Sequence, residues 1–190
     1  MKTDIILSGV GGQGILSIAT ILGEAALNNG FFIKQAEVHG MSQRGGDVHS
    51  DFRISSEPIF SDIIEKGCAD IILSLEPMEA LRFAEYLKPD GWIITNSSPF
   101  MNIPDYPDIK NILADLKKYT NNIILDIDSM AKEANMPKAG NIILLGAASK
   151  FINLSTKQIE DGIKDVFSRK GSKIVNMNLE AFQIGRESAK

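Results

Sequence analysis

Along the chain, short apolar runs alternate with stretches whose apolar residues recur at helical spacing. Asp4–Ser8 predicts a first strand. Beyond the glycines that follow it, Ile15, Ile18, Ala19, Leu22, Ala25 and Ala26 share one helical face, and Asn29-Gly30 supplies the stop. Phe31–Val38 predicts a second strand. The next segment breaks the rhythm: His39–Gly46 has three glycines and no helical period. Val48, Ser50, Phe52 and Ile54 then alternate with His49, Asp51 and Arg53, the pattern of a half-exposed strand. A long loop should therefore turn the second strand back into an antiparallel partner.

Ala69–Leu75 is continuously apolar and predicts a strand buried on both faces. Glu76 ends it, Pro77 suits a first helical position, and Met78, Leu81, Ala84 and Tyr86-Leu87 mark the helix. Lys88-Pro89-Asp90-Gly91 predicts a turn and Trp92–Asn96 a strand. A loop with three prolines, 97–107, leads to a helix capped by Asp108 and running to about Tyr119, then to the strand Asn122–Ile127. Asp128 is expected to cap a short helix ending near Pro137. Gly140–Phe151 predicts a more apolar helix. Ser155 with Gln158 forms a capping-box pattern for a helix to about Ser168, and a last amphipathic helix begins near Ser172. Strands alternating with helices, plus one antiparallel hairpin after the second strand, predict a three-layer α/β/α fold with a mostly parallel, Rossmann-like sheet. No repeat or linker divides residues 1–190, so one domain is expected.

Composition narrows the function. Hydrophobic residues at 44% and charged residues at 23% suit a globular chain, and a net charge of −4 offers no footprint for nucleic acid. The one cysteine, Cys68, forms no internal disulfide and cannot hold a zinc or iron–sulfur centre alone. Its small and apolar neighbours suggest packing rather than reactivity. A lone thiol and an N-terminus that enters a strand without an apolar signal core point to the cytoplasm. The most apolar stretch, Ile142–Ala148, falls short of the ~20 residues a membrane helix needs.

Gly9-Val10-Gly11-Gly12-Gln13-Gly14 satisfies G-x-G-x-x-G between a strand and a helix. Glycines let backbone approach a pyrophosphate, and a helix N-terminus offers unpaired N–H groups. Glu37 stands near the ~20-residue offset of a ribose-binding acid. Yet Glu37 leads into a glycine-rich loop and not a crossover helix, which favours a packing turn over a nicotinamide site. Another phosphate, such as part of coenzyme A, remains open. In the second loop, Arg44 has the fork geometry to grip a carboxylate or phosphate; an interface role for it is the competing reading.

Other groups have bland readings that outweigh the sharp ones. His39 and His49 match no common metal spacing, and His49 falls on the polar face of its strand. Glu76 is a base by position at a strand end, but a turn or a pairing with Arg82 competes. Ser8, Ser42 and Ser74 sit in no nucleophile elbow. Met177, Leu179 and Phe182 read as core, or as an interface if exposed.

The two loops, Gly9–Gly14 and Glu37–Gly46, resemble the small (gamma-type) subunits of the 2-oxoacid:ferredoxin oxidoreductases. Glu76–Arg82, Lys138–Asn141, Leu145–Ala147 and Asn176–Phe182 extend the resemblance in order over nearly the whole chain. His39–Gly46 and Glu76–Arg82 point to the indolepyruvate branch, with the pyruvate gamma subunits as the nearest relatives. The resemblance implies a share in oxidative decarboxylation: an aryl 2-oxoacid, coenzyme A and oxidised ferredoxin give acyl-CoA, carbon dioxide and reduced ferredoxin. It implies no cofactor in this chain. Thiamine diphosphate, magnesium and 4Fe–4S clusters would sit in a large alpha subunit, the direct partner, and the isolated chain would be inert. The positions expected to bind phosphate or coenzyme A, or to form an interface, are Gly11, Gly12, Gln13, Gly14, His39, Gln43, Arg44, Gly45 and Gly46.

Overall fold

The computed structural model describes residues 1–40, 45–101 and 103–189. Its sheet contains β1 (Lys2–Val10), β2 (Phe32–His39), β3 (Asp47–Ser55), β4 (Ala69–Ser74), β5 (Leu87–Asn96) and β6 (Asn122–Leu125), in the spatial order β2-β3-β1-β4-β5-β6. β4, β5 and β6 follow β1 in parallel, and β3 runs antiparallel to both β1 and β2. The hairpin expected from the glycine-rich loop is present, and β3 is threaded between β1 and β2.

Alternate side chains divide two cores, as a period of two requires. Ile5 and Leu7 of β1, Ile71 and Leu73 of β4, and Ile94 of β5 face α1 (Ile15–Leu27), α4 (Ile127–Glu133), α5 (Gly140–Ala148), α6 (Thr156–Phe167) and α7 (Ser172–Ser188). Ile6, Ile72 and Ile93 face α2 (Pro77–Arg82) and α3 (Ile109–Leu116). This is the expected three-layer arrangement. α5 and α7 cross with backbone against backbone: a Cβ on Gly146 would stand 2.0 Å from Phe182 O, and one on Gly185 1.8 Å from Ile143 O. Phe182 is fully buried, while Met177 and Leu179 pack on the edge of that core. Cys68 is half-buried against the second core.

Local chemistry explains most helix starts. The Ser155–Gln158 capping box forms in both directions, and the Asp108 carboxylate accepts from Lys110 N at 2.9 Å. Asp126, rather than Asp128, caps α4 by accepting from Ser129 N at 3.1 Å; Asp128 falls inside the first turn. The expected turn at Lys88–Gly91 lies within β5. Ala69 pairs with Leu87 and Ile71 with Trp92, so the extra residues form a bulge that absorbs Pro89.

β3 departs most from expectation. Its polar alternation is not a solvent face, because the β3–β4 connection covers Asp51 and Arg53 and Phe83 covers His49. Asp51 is buried and accepts from Ile64 N at 3.0 Å, and burial raises its carboxyl. Arg53 reaches Asp4 on β1 at 2.9 Å and donates to the carbonyls of Ser61 and Ile63 at 2.9 and 3.0 Å. Burial alone would raise the fully buried Asp4 carboxyl, but its bonds to Arg53 and Lys2 outweigh that and hold it below the ordinary carboxylate range.

Asp4→Asn, which leaves Arg53 without its counter-charge, should lower unfolding free energy by about 3 kcal/mol at pH 7. A depressed folded pKa contributes stability above the unfolded value and loses it as pH falls through the folded value. The gap between wild type and variant in urea denaturation should therefore shrink below about pH 4. A gap that stays constant to pH 3 would contradict this account of the pair.

Candidate functional site

The two glycine loops meet at the carboxyl end of β1, where open parallel sheets place ligands. Gly11 N donates to Gly46 O at 2.8 Å, and Gly45 N donates to Gly11 O at 3.4 Å. Gly40 N closes the base of the second loop on Asp47 O at 3.0 Å. The β1–β3 register makes this meeting inevitable, since Val10 pairs with Asp47 at the last rung.

Gln13 holds the first loop from within. Its Oε1 accepts from Val10 N at 2.7 Å and its Nε2 donates to Leu75 O at 3.2 Å. This side chain therefore points into the fold and not toward a ligand. Gly14 takes φ +88°, a left-handed conformation that suits glycine, and a Cβ there would stand 2.8 Å from Asn141 Nδ2. That same Nδ2 donates to Gly14 O at 3.1 Å. Asn141 is the residue the sequence reading left out of the site. Its stretch carried the resemblance, but its contact spans 127 positions. No local spacing announces such a pairing.

Beside these loops opens a cleft of about 550 Å³, lined by Gly11, Gly12, Gly14, His39 and Gly40 with an apolar floor of Val10, Ile15, Leu16 and Val48. Val10, Gly11 and Gln13 spend their N–H groups inside the protein. Helix geometry leaves the Ile15 and Leu16 N–H groups without intrahelical acceptors. The cleft thus offers first-turn donors and a favourable dipole to one anionic group. His39, whose Nε2 meets the Glu37 carboxylate, is the titratable side chain among the described lining residues. Gln43 and Arg44, also expected here, lie outside the described residues.

Dinucleotide geometry is disfavoured by topology. Glu37 pairs with Ser50, and Ser50 pairs with Leu7. The acid is therefore two strand spacings from β1, roughly 9.6 Å, where the nucleotide fold sets its second strand beside the first.

The remaining candidates separate. His39 pairs with Val48 and Val38 with His49, so the two histidines project from opposite faces of the sheet and do not converge on a metal. His49 is not solvated. It packs its ring at a tilt against Phe83 at 4.6 Å between centroids, its Nδ1 is buried without a hydrogen-bond partner among the described residues, and burial lowers its pKa against the pull of Asp51 and Asp47. Glu76 is fully buried and caps α2, accepting from Glu79 N at 2.9 Å. It also accepts from Phe100 N at 3.4 Å and from the Tyr106 hydroxyl, which tethers the loop between β5 and α3. Burial and the Glu76 carboxylate push the Tyr106 phenol far up, so it stays protonated. Arg82 pairs at 2.9 Å with Glu79 and not with Glu76. Burial outweighs that pairing and raises the Glu79 carboxyl. Neither His49 nor any of the groups around Glu76 is among the described residues that line the cleft.

The family model for pyruvate ferredoxin/flavodoxin oxidoreductase matches residues 4–188. Subunit IorB of the indolepyruvate oxidoreductase of Thermococcus kodakarensis is 37% identical, over 98% of this chain and 96% of its own. The gamma subunit of a keto/oxoacid ferredoxin oxidoreductase from Geobacter sulfurreducens superposes with a TM-score of 0.72 and 26% identity, covering 98% of each chain. The fold is also that of part of the 2-oxoglutarate:ferredoxin oxidoreductase of Magnetococcus marinus, solved with 2-oxoglutarate, coenzyme A and succinyl-CoA bound (TM-score 0.78, 20% identity). The match covers 99% of this chain but 31% of that one.

Gln13→Ala should destabilise the protein by about 2 kcal/mol, because the Val10 N–H loses its partner in a partly buried turn. An unchanged urea midpoint would show that the loop does not depend on the glutamine.

Proposed function

The chain belongs to the pyruvate ferredoxin/flavodoxin oxidoreductase family, and on that premise we propose that it is the small, cofactor-free subunit of an indolepyruvate-type 2-oxoacid:ferredoxin oxidoreductase. The complex would convert an aryl 2-oxoacid and coenzyme A to acyl-CoA and carbon dioxide, passing the electrons to ferredoxin. The observation that carries this reading is 37% identity to an indolepyruvate oxidoreductase subunit over almost the full length of both chains. The likeness to a keto/oxoacid gamma subunit keeps a related 2-oxoacid as the second reading.

The donor set supports the division of labour. A 4Fe–4S cluster takes four thiolates and this chain has one cysteine, so the clusters belong to a large partner subunit. We assign thiamine diphosphate and magnesium to that partner as well. The described cleft is built from glycine, apolar side chains and His39, which suits holding and enclosing a ligand better than bond chemistry. In this proposal the α1 N-terminus and the two glycine loops, with Gln43 and Arg44, take a phosphate of coenzyme A or the partner surface beside it. Among the described residues no helix is long and apolar enough to cross a membrane, and we place the complex in the cytoplasm.

Co-expression with the large subunit tests the reading. Indolepyruvate- and coenzyme A-dependent reduction of ferredoxin should require both chains, with either alone inactive. Full activity of the large subunit by itself would contradict it. Faster turnover of pyruvate than of indolepyruvate would move the chain to the second reading.

A further inference from the structure

β2 closes the sheet at one edge. Among the described residues it pairs with β3 on one side and with no strand on the other. It meets β3 in unbroken register, with no bulge or proline to blunt the edge, and most of its residues are exposed. Phe32 is 46% and Val38 50% exposed. A regular strand with a free row of backbone groups is a template for a further strand.

The sequence of β2 selects the strand that fits. Phe32, Lys34, Ala36 and Val38 share one face, and Ile33, Gln35, Glu37 and His39 share the other. When two copies pair antiparallel by a two-fold axis normal to the sheet, each face stays on its own side. Opposed residues then have the same parity, and the axis passes through a residue. Centred on Lys34 or Glu37, it would set like charges against each other. Centred on Ala36, it would put Phe32 opposite Gly40 and leave the ring uncovered. Centred on Gln35, it puts Phe32 opposite Val38 of the second copy, and Val38 opposite its Phe32. Gln35 then faces its own counterpart, amide to amide, with Ile33 opposite Glu37 and Lys34 opposite Ala36.

The charges on and beside the strand agree with this register. On β3, Arg53 neighbours Lys34, Asp51 neighbours Ala36, and His49 neighbours Val38. Lys34 of the second copy, opposite Ala36, therefore stands in one row with Asp51 and has only a small side chain between. Arg53 is already engaged by Asp4 at 2.9 Å. On the other face Glu37 is met by His39 and Gln35 of its own strand and opposes only Ile33 across the axis.

We propose that β2 is a self-pairing edge, to which a second copy of this chain adds its own β2 antiparallel about Gln35. Two six-stranded sheets become one continuous sheet. Phe32 and Val38 supply its apolar contacts, as aromatic and β-branched residues do across strands. Each glycine-loop cleft lies at the His39 end of its own β2, so the two clefts stand at opposite ends of the seam and stay open to other subunits. The inference concerns this chain by itself and goes beyond its role in the oxidoreductase.

Sedimentation equilibrium of the purified full chain tests it. The wild type should show a monomer–dimer equilibrium. Phe32→Lys and Val38→Glu should each weaken dimerisation about 10-fold with Tm unchanged, since both positions are exposed. Combined in one chain they should restore it, because each new Lys then opposes a new Glu of the other copy. Gln35→Cys should give a covalent dimer on mild oxidation, alone and in the complex with the large subunit. The wild type, whose Cys68 is half-buried against the second core, should not. A wild type that stays monomeric, with no cross-link through Gln35→Cys, would overturn the proposal. Single variants that weaken the dimer without rescue by the pair would overturn the register and the proposal with it. A monomeric chain whose variants instead lose affinity for the large subunit would give the edge to that partner, which also overturns self-pairing. The subunit reading is tested separately by co-expression and survives failure here.

Discussion

The structure depends on β3 being threaded antiparallel between β1 and β2. Nine consecutive residues of β1 pair with it on one side and β2 pairs on the other, so its register determines what meets at each end. At the carboxyl end of β1 that register delivers Gly45 and Gly46 against Gly11. At the opposite end it brings Arg53 to Asp4, and through Arg53 it positions the backbone at Ser61 and Ile63. A one-residue slip would exchange the faces of Asp51 and Phe52 and bury a charge where the ring now packs.

That insertion also changes the meaning of the first loop. A strand–glycine turn–helix unit invites a dinucleotide, but the intervening strand moves Glu37 out of reach of the turn. Gln13 then fills part of the loop from inside, and Asn141 clamps the glycine at the helix start. What remains open is a glycine-walled cleft at a helix N-terminus, able to receive one anionic group and, among its described lining residues, poor in reactive side chains. Such a surface suits one component of a larger catalyst.

Much of the fold was legible because its signals are local. Apolar runs located the strands, the Ser155–Gln158 pair located a helix start, and the interrupted rhythm at His39–Gly46 revealed the hairpin. The misreading of β3 has one cause, which is cover by distant segments. His49, Asp51 and Arg53 read as a wet face because nothing within the strand announces that Phe83 and the β3–β4 connection lie over it. Lys88–Gly91 read as a turn because a bulge and a turn use the same residues. Of the expected site positions, Gly11, Gly12, Gly14 and His39 line the cleft, and the glycines were legible through the G-x-G-x-x-G spacing between strand and helix. Gln13 was found but points inward, and Asn141 was missed because its partner is remote in the chain.

In the proposed function the glycine-loop end takes a phosphate of coenzyme A within an assembled oxidoreductase. Amide hydrogen exchange on the assembled complex, with and without coenzyme A, tests it most directly. Coenzyme A should slow exchange at Gly11–Leu16 and at Gly45–Gly46. Protection confined to the large subunit, with these amides exchanging as before, would contradict it.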